Sequence, residues 1–234
     1  QTPKIVVYVT SGNDRALYRA KVVPAGATMT QVLQPPDGRI IATQFLSPMP
    51  SGHIVRRWNG RLLVARDRHL IRSEALRYGL THVGHNDTGF RNRLTLMEPI
   101  EGDGAGVYVS DGTRILFLAG DDPAAWVPKP VGAYGAEPGS AMLTPASAWG
   151  IQSKRWIPAW KGLDGLFTVG LPGGVLSTFN QSEFIAGVGE SAASLFREAD
   201  GLMQFITVAR GGRTRAKLGV QDEVIDRLYG EDGV

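Results

Sequence analysis

The residues best placed to do chemistry are four histidines, a set of aspartates beside glycines, and tryptophans interleaved with basic side chains. His82, His85 and Asp87 offer three metal donors within one short stretch. Two histidines three apart share a face only on a helix, and zinc needs its ligands held in a closed tetrahedron. Gly79, Gly84 and Gly89 interrupt that stretch, so a solvated loop is expected there and no metal is assigned. Glu101 and Asp103 offer carboxylate oxygens, but an EF-hand loop needs more oxygens in a fixed order, so a solvated turn is expected. Glycoside hydrolysis needs two carboxylates facing one sugar. Asp37, Asp67, Asp111, Asp164 and Asp200 all stand in or beside expected turns, where Asp is common for backbone reasons, and no two of them form a distinguishable pair. The chain has no G-x-S-x-G elbow, and Ser73-Glu74 with scattered histidines makes no triad. Leu171-Pro172-Gly173-Gly174 lacks the lysine and following helix of a phosphate-binding loop. With no cysteine, disulfides, cysteine zinc ligands and cysteine nucleophiles are excluded. No catalytic constellation and no cofactor are therefore expected.

Binding chemistry has better candidates. Trp126, Trp149, Trp156 and Trp160, with Lys154 and Arg155 among them, can stack on a sugar or a base while the cations engage a charged partner. The same rings suit aromatic packing between blades, which is the preferred reading. Arg210, Arg213, Arg215 and Lys217 form the densest basic run, suited to nucleic acid or an acidic partner, or to a solvated turn. The net charge of +3 is too small for a dedicated nucleic-acid-binding domain.

The elements that must position these residues read as strands. Thirty glycines and fourteen prolines separate short apolar runs, as an antiparallel meander requires. Trp58 to Tyr78 is the clearest unit: the Asn59-Gly60 turn, the run Leu62 to Ala65, the turn Arg66-Asp67-Arg68, and a return strand from His69 to Ser73. Similar hairpins open at Gly106, Gly165 and Gly201, at intervals of 46 (60 to 106), 59 (106 to 165) and 36 (165 to 201). Another joins Lys4–Thr10 to Ala16–Val23. Repeated small antiparallel sheets predict an all-β, β-propeller-like fold, with an irregular sandwich or barrel as the alternative. The Pro-rich and Gly-rich stretch from Ala119 to Gly139 reads as a long crossover between blades, and Asp111-Gly112 as a tight hairpin turn. The expected organisation is one domain over 1–234: first blade or blades over about 1–52, the best-matched blades over 53–210, and a tail over 211–234. In the tail, Gln221 to Leu228 suits a short helix with Val224, Ile225 and Leu228 on one face. Gln1 in place of Met, with strand-like sequence following at once, predicts part of a longer chain whose upstream strands complete a blade. No run approaches the roughly 20 apolar residues of a membrane helix.

These units carry a resemblance. Asn59-Gly60, Leu62 to Ala65, Ser73-Glu74 and Tyr78-Gly79 resemble a blade of the propeller-like structural virion proteins of tailed bacteriophages. Gly106 to Ser110 with Phe117 to Pro123, ending in Gly120-Asp121-Asp122-Pro123, is similar to that family's next blade, and Pro138-Gly139-Ser140-Ala141 to its P-G-T/S-A element. The likeness spans about 53–210, and residues up to Ser51 carry little of it. It implies a non-enzymatic virion component, at the tail nozzle or a neighbouring tail or neck ring around the DNA channel. It further implies a homo-oligomeric ring in contact with other tail proteins, and DNA passing without sequence-specific binding during ejection. A modest net charge suits that passage, because many phosphate contacts would grip the genome. Two other functions fit the residues: a propeller binding module for a host glycan or protein, using the tryptophans, and a carbohydrate-active propeller enzyme.

Overall fold

The structure is a computed structural model. The structure describes residues 3–10, 17–31, 43, 45–82, 84–179 and 187–211. Arg213, Arg215, Lys217 and the expected helix at Gln221 to Leu228 lie outside the described residues. The fold is all-β, built from several small antiparallel sheets of two to four strands, with three short 3-10 turns among the described residues. No described helix is long and apolar enough to cross a membrane.

In chain order, β1 (Lys4–Thr10) and β2 (Leu17–Pro24) form a two-stranded hairpin. β3 (Leu46–Pro48) precedes the first four-stranded sheet, made by β4 (Ile54–Trp58), β5 (Arg61–Arg66), β6 (His69–Arg72) and, after β7 (Leu80–His82) has left to pair with β3, β8 (Asp87–Gly89). The second sheet runs β9 (Leu96–Ile100), β10 (Gly106–Ser110), β11 (Ile115–Ala119) and β12 (Pro128–Gly132). The third runs β13 (Met142–Pro145), β14 (Trp156–Lys161), β15 (Phe167–Leu171) and β16 (Val175–Phe179). A long hairpin, β17 (Ser191–Ala199) and β18 (Leu202–Arg210), follows.

Turn chemistry fixes the tightest hairpins. Asn59 and Gly60 take φ of 40° and 68°, and Asp200 and Gly201 take 54° and 76°. Two successive positive φ values match the right-handed twist of the flanking strands, and Asn-Gly and Asp-Gly tolerate them best. The Asp111-Gly112 reversal is wider than expected, since β10 ends at Ser110 and β11 starts at Ile115. The Asp111 carboxylate closes it, Oδ1 accepting from Thr113 N (3.1 Å), Thr113 Oγ1 (2.6 Å) and Arg114 N (3.2 Å).

Two expectations are corrected. The stretch Ala119 to Gly139 contains a strand as well as a connection. Pro128 and Pro130 stand on β12, the edge of the second sheet, where a missing N–H costs no ladder bond on the open side. The glycine-opened units are also not equivalent. First strands begin at residues 54, 96 and 142, and third strands at 69, 115 and 167. Gly60 and Gly106 open second strands, whereas Gly165 precedes the third strand of its sheet and Gly201 the return of a lone hairpin. The true repeat is the four-stranded meander, and its steps are far more even than the glycine spacing.

The sheets stack face to face. Leu63, Ala65 and Leu70 of the first sheet meet Met97, Val107, Val109, Leu116 and Leu118 of the second, with Trp58 and Trp126 between them. On its opposite face the second sheet presents Tyr108, Ile115 and Phe117 to the third, where Trp160 receives them. Gly170 allows this approach: a Cβ there would lie 2.5 Å from the Tyr108 ring. The far side of the third sheet carries Phe167 and Phe179, against which Phe205 of β18 and Trp149 pack. No closed barrel or propeller ring is formed by the described sheets.

Candidate functional site

The six residues between Trp126 and Trp160 singled out from the sequence divide into packed and exposed groups. Trp126 is buried, its ring centroid 4.9 Å from that of Trp58, and its Nε1 donates to Gly120 O at 2.9 Å. The short 3-10 turn Pro123–Ala125, capped by Asp122 Oδ1 accepting from Ala124 N, delivers it there. Trp160 is likewise buried, 5.6 Å from the Tyr108 ring. Trp149 is partly buried against Phe179 and Phe205, and its Nε1 donates to Thr144 Oγ1 at 2.8 Å. Trp126 and Trp160 therefore leave the set of surface-contact residues, because their rings fill the gaps between sheets.

Lys154, Arg155 and Trp156 are exposed together where the chain enters β14. Trp156 keeps 60% of its surface in solvent. Arg155 Nη1 donates to Asp103 O at 3.2 Å, and Nη2 stands 3.9 Å from Asp103 Oδ2. That leaves Lys154 beside a shallow groove floored by Gly150, Ile151 and Gln152. Arg210 is exposed at the end of β18, on a different sheet.

Sequence reasoning missed the buried charges. Glu98 on β9 is 1% exposed, and Arg56 on β4 donates Nε to its Oε1 and Oε2 at 2.9 and 2.8 Å, with Nη2 also on Oε1. Burial pushes the Glu98 carboxyl up while Arg56 opposes the rise; the hydrogen bond to Glu98 in turn raises Arg56. Glu137 and Lys161 are buried as a pair, Nζ 2.8 Å from Oε2. Lys161 Nζ also donates to Gly187 O, and Glu137 Oε1 accepts from Gly189 N at 2.7 Å. Ser140 Oγ locks the same spot, accepting from Lys161 N at 3.1 Å and donating to Glu137 O at 2.8 Å. Ala192 N then donates to Pro138 O at 2.7 Å. The Pro138-Gly139-Ser140 element is thus the clasp that fixes the start of β17 to the third sheet. No local motif marks either pair, since their partners are far apart in sequence.

Elsewhere, polar side chains are also committed to structure. Burial pushes the Tyr108 phenol up, and its hydroxyl donates to Leu171 O and to Val175 O at 2.9 Å. Arg72, buried and lowered chiefly by that burial, donates to His85 O at 2.7 Å and Thr88 Oγ1 at 3.3 Å. His82 and His85 meet edge to face at 4.5 Å, and Asp87 is turned instead to His69, 3.0 Å away. Among the described residues no group of three or more His, Asp and Glu could hold a metal ion. No family model matches the chain, and no curated protein matches it.

Proposed function

We propose that this chain is a structural component of a tailed-phage virion, at the tail nozzle or a neighbouring ring around the DNA channel, acting without catalysis. The observation that carries this reading is the run of three consecutive four-stranded antiparallel sheets, stacked face to face and built from the segments whose residues resemble the phage family's blades. In this reading each sheet is a propeller-like blade. Asn59-Gly60 makes a blade's hairpin turn, and Pro138-Gly139-Ser140 the join to the element that follows. A ring subunit needs rigidity more than a reactive pocket. Two sheet-to-sheet cores supply that rigidity, with Arg56–Glu98 spanning the first joint and Glu137–Lys161 holding the start of the last hairpin to the third sheet. The test is antibody labelling of phage particles induced from the source cells, viewed by negative-stain electron microscopy. Label clustered at the tail or neck is expected. Label absent from every particle, with the protein free in the lysate, overturns the reading.

One observation favours a second function, recognition of a host glycan or protein: Trp156 stands exposed beside Lys154 and Arg155. Trp156→Ala then weakens binding to a host-surface glycan array by tenfold or more with the fold intact. Equal binding by both proteins, or none by either, removes this alternative.

A further inference from the structure

Charge is divided between the two ends of the first two sheets. At one end three loops meet: the β5–β6 turn Arg66-Asp67-Arg68, the connection from β8 to β9 over 90–95, and the β10–β11 reversal over 111–114. Backbone bonds tie them together. Phe90 N donates to Arg68 O and Leu94 N to Asp67 O, both at 2.9 Å, and Thr95 N donates to Ser110 O at 2.8 Å. Phe90 and Leu94 are buried beneath them in the core between the sheets. Five arginines are exposed on these loops: Arg66, Arg68, Arg91, Arg93 and Arg114. Arg114 stands 3.9 Å from Asp111, a buried carboxylate already engaged by its own turn. Among the described residues the other four have no ion-pair partner. Asp67 is the one exposed acid on the three loops, and Asp87 on neighbouring β8 is turned to His69. The opposite end has the reverse sign, with Glu101, Asp103, Asp121 and Asp122 exposed on the loops around Arg57 and the Asn59-Gly60 turn.

We propose that this arginine end is a docking surface for the phosphodiester backbone of nucleic acid. Its cations are all guanidiniums, whose planar forks match phosphate oxygens two at a time. The residues around them argue against a protein partner. None of residues 66–69, 90–95 or 110–114 is an exposed large hydrophobic. A protein interface takes most of its energy from aromatic and other well-packed anchors at its centre, whereas phosphate contact needs none and draws on released counterions. Because the loops are already bonded to one another, little backbone freedom is lost on binding. Contacts to phosphate position the chain without reading bases, so binding is independent of sequence. In the sequence these arginines are scattered from 66 to 114, and the net charge of +3 hid a surface that only folding gathers. The proposal goes beyond the virion reading and stands on these residues alone, so either can fail without the other.

The test titrates the full chain into a short fluorescein-labelled DNA of mixed sequence, as duplex and as single strand, and follows anisotropy at several salt concentrations. Wild type should bind, with an affinity that falls steeply as salt rises. R66Q, R68Q, R91Q and R93Q should each weaken binding severalfold, equally on a second sequence, and lower the salt slope by about 1. The fourfold variant should lose binding. R57Q removes the same charge from the acidic end and should bind as wild type does. Circular dichroism checks each fold, and the single variants decide the matter even if the fourfold one fails to fold. Binding of the duplex, the single strand or both that follows these arginines supports the proposal and names the form. No binding by wild type at low salt, or as large a loss in R57Q as in the loop variants, overturns it. Polyglutamate that displaces DNA at equal charge concentration also overturns it, in favour of an acidic protein.

Discussion

Arg56 and Glu98 join the first strands of two consecutive sheets, the guanidinium of one gripping both oxygens of a carboxylate that water scarcely reaches. Burying a carboxylate is costly, and the guanidinium fork offsets the cost by matching its geometry. Arg56→Met should therefore destabilise by about 2–3 kcal/mol, below the range for a fully buried pair because the Arg56 side chain is 36% exposed. Converting both residues to Met should cost less than Arg56→Met alone, since no charge is then stranded. Urea midpoints of the three variants decide this, and a double variant weaker than the single would refute it.

Glu98 and Asp111 should respond to acid in opposite directions. The Glu98 carboxyl is raised above its ordinary 4.5, chiefly by burial, so the folded state holds its proton more tightly than the unfolded one. Its contribution is complete below the unfolded value and is lost as pH rises through the folded value. For Asp111, burial acts upward, but the Thr113 and Arg114 hydrogen bonds and the Arg114 charge carry it below 3.8. Its contribution is present above that value and is lost as pH falls through the folded one. As pH drops from 7 toward 4, wild type should gain stability relative to E98Q. Below about pH 4 it should lose stability relative to D111N. Chemical denaturation across that range gives both differences directly.

Trp126→Ala should remove about 3–5 kcal/mol, because a buried indole and its bond to Gly120 both go. Trp58→Ala should cost a similar amount, and the double variant less than the sum, since the rings touch. Trp156→Ala, on an exposed ring, should change the unfolding free energy by no more than about 0.5 kcal/mol. Thermal melts of the four proteins test whether the tryptophans divide between core and surface as their burial indicates.

What the sequence disclosed was local. Asn59-Gly60 and Asp200-Gly201 announce their turns because only a few residue pairs tolerate two positive φ values in succession. β12 was hidden because its prolines argue against a strand unless that strand is an edge, which is a fact of topology. β14 was hidden for a related reason. Pro158 lies opposite Leu143, while pairing with β15 begins only at Ala159, so the missing N–H faces no neighbour there. With β14 unseen, Gly165 was aligned with Gly60 and the repeat lost its phase. The ion pairs Arg56–Glu98 and Glu137–Lys161 were illegible because each joins residues far apart in the chain: the first meets when two sheets stack, the second when the stretch before β13 bridges to the end of β14.

Gly139 gives the sharpest test of the clasp that holds the last hairpin. Its φ is 82°, and a Cβ would lie 2.2 Å from Ala192 O, against the strand whose amide bonds to Pro138. Gly139→Ala meets left-handed backbone strain of about 1–2 kcal/mol and must also push β17 away. Lys161→Met acts on the same joint from the other side, leaving Glu137 buried without its cation, at about 3–5 kcal/mol. If the clasp anchors the hairpin to the third sheet, both variants should speed amide exchange in β17 and β18 by tenfold or more. Exchange at the joint between the first two sheets should be nearly unchanged, because the Arg56–Glu98 pair and the Trp58–Trp126 core lie outside the clasp. Uniformly faster exchange in all sheets would instead mean that the stack unfolds as one unit and that the hairpin has no separate anchor.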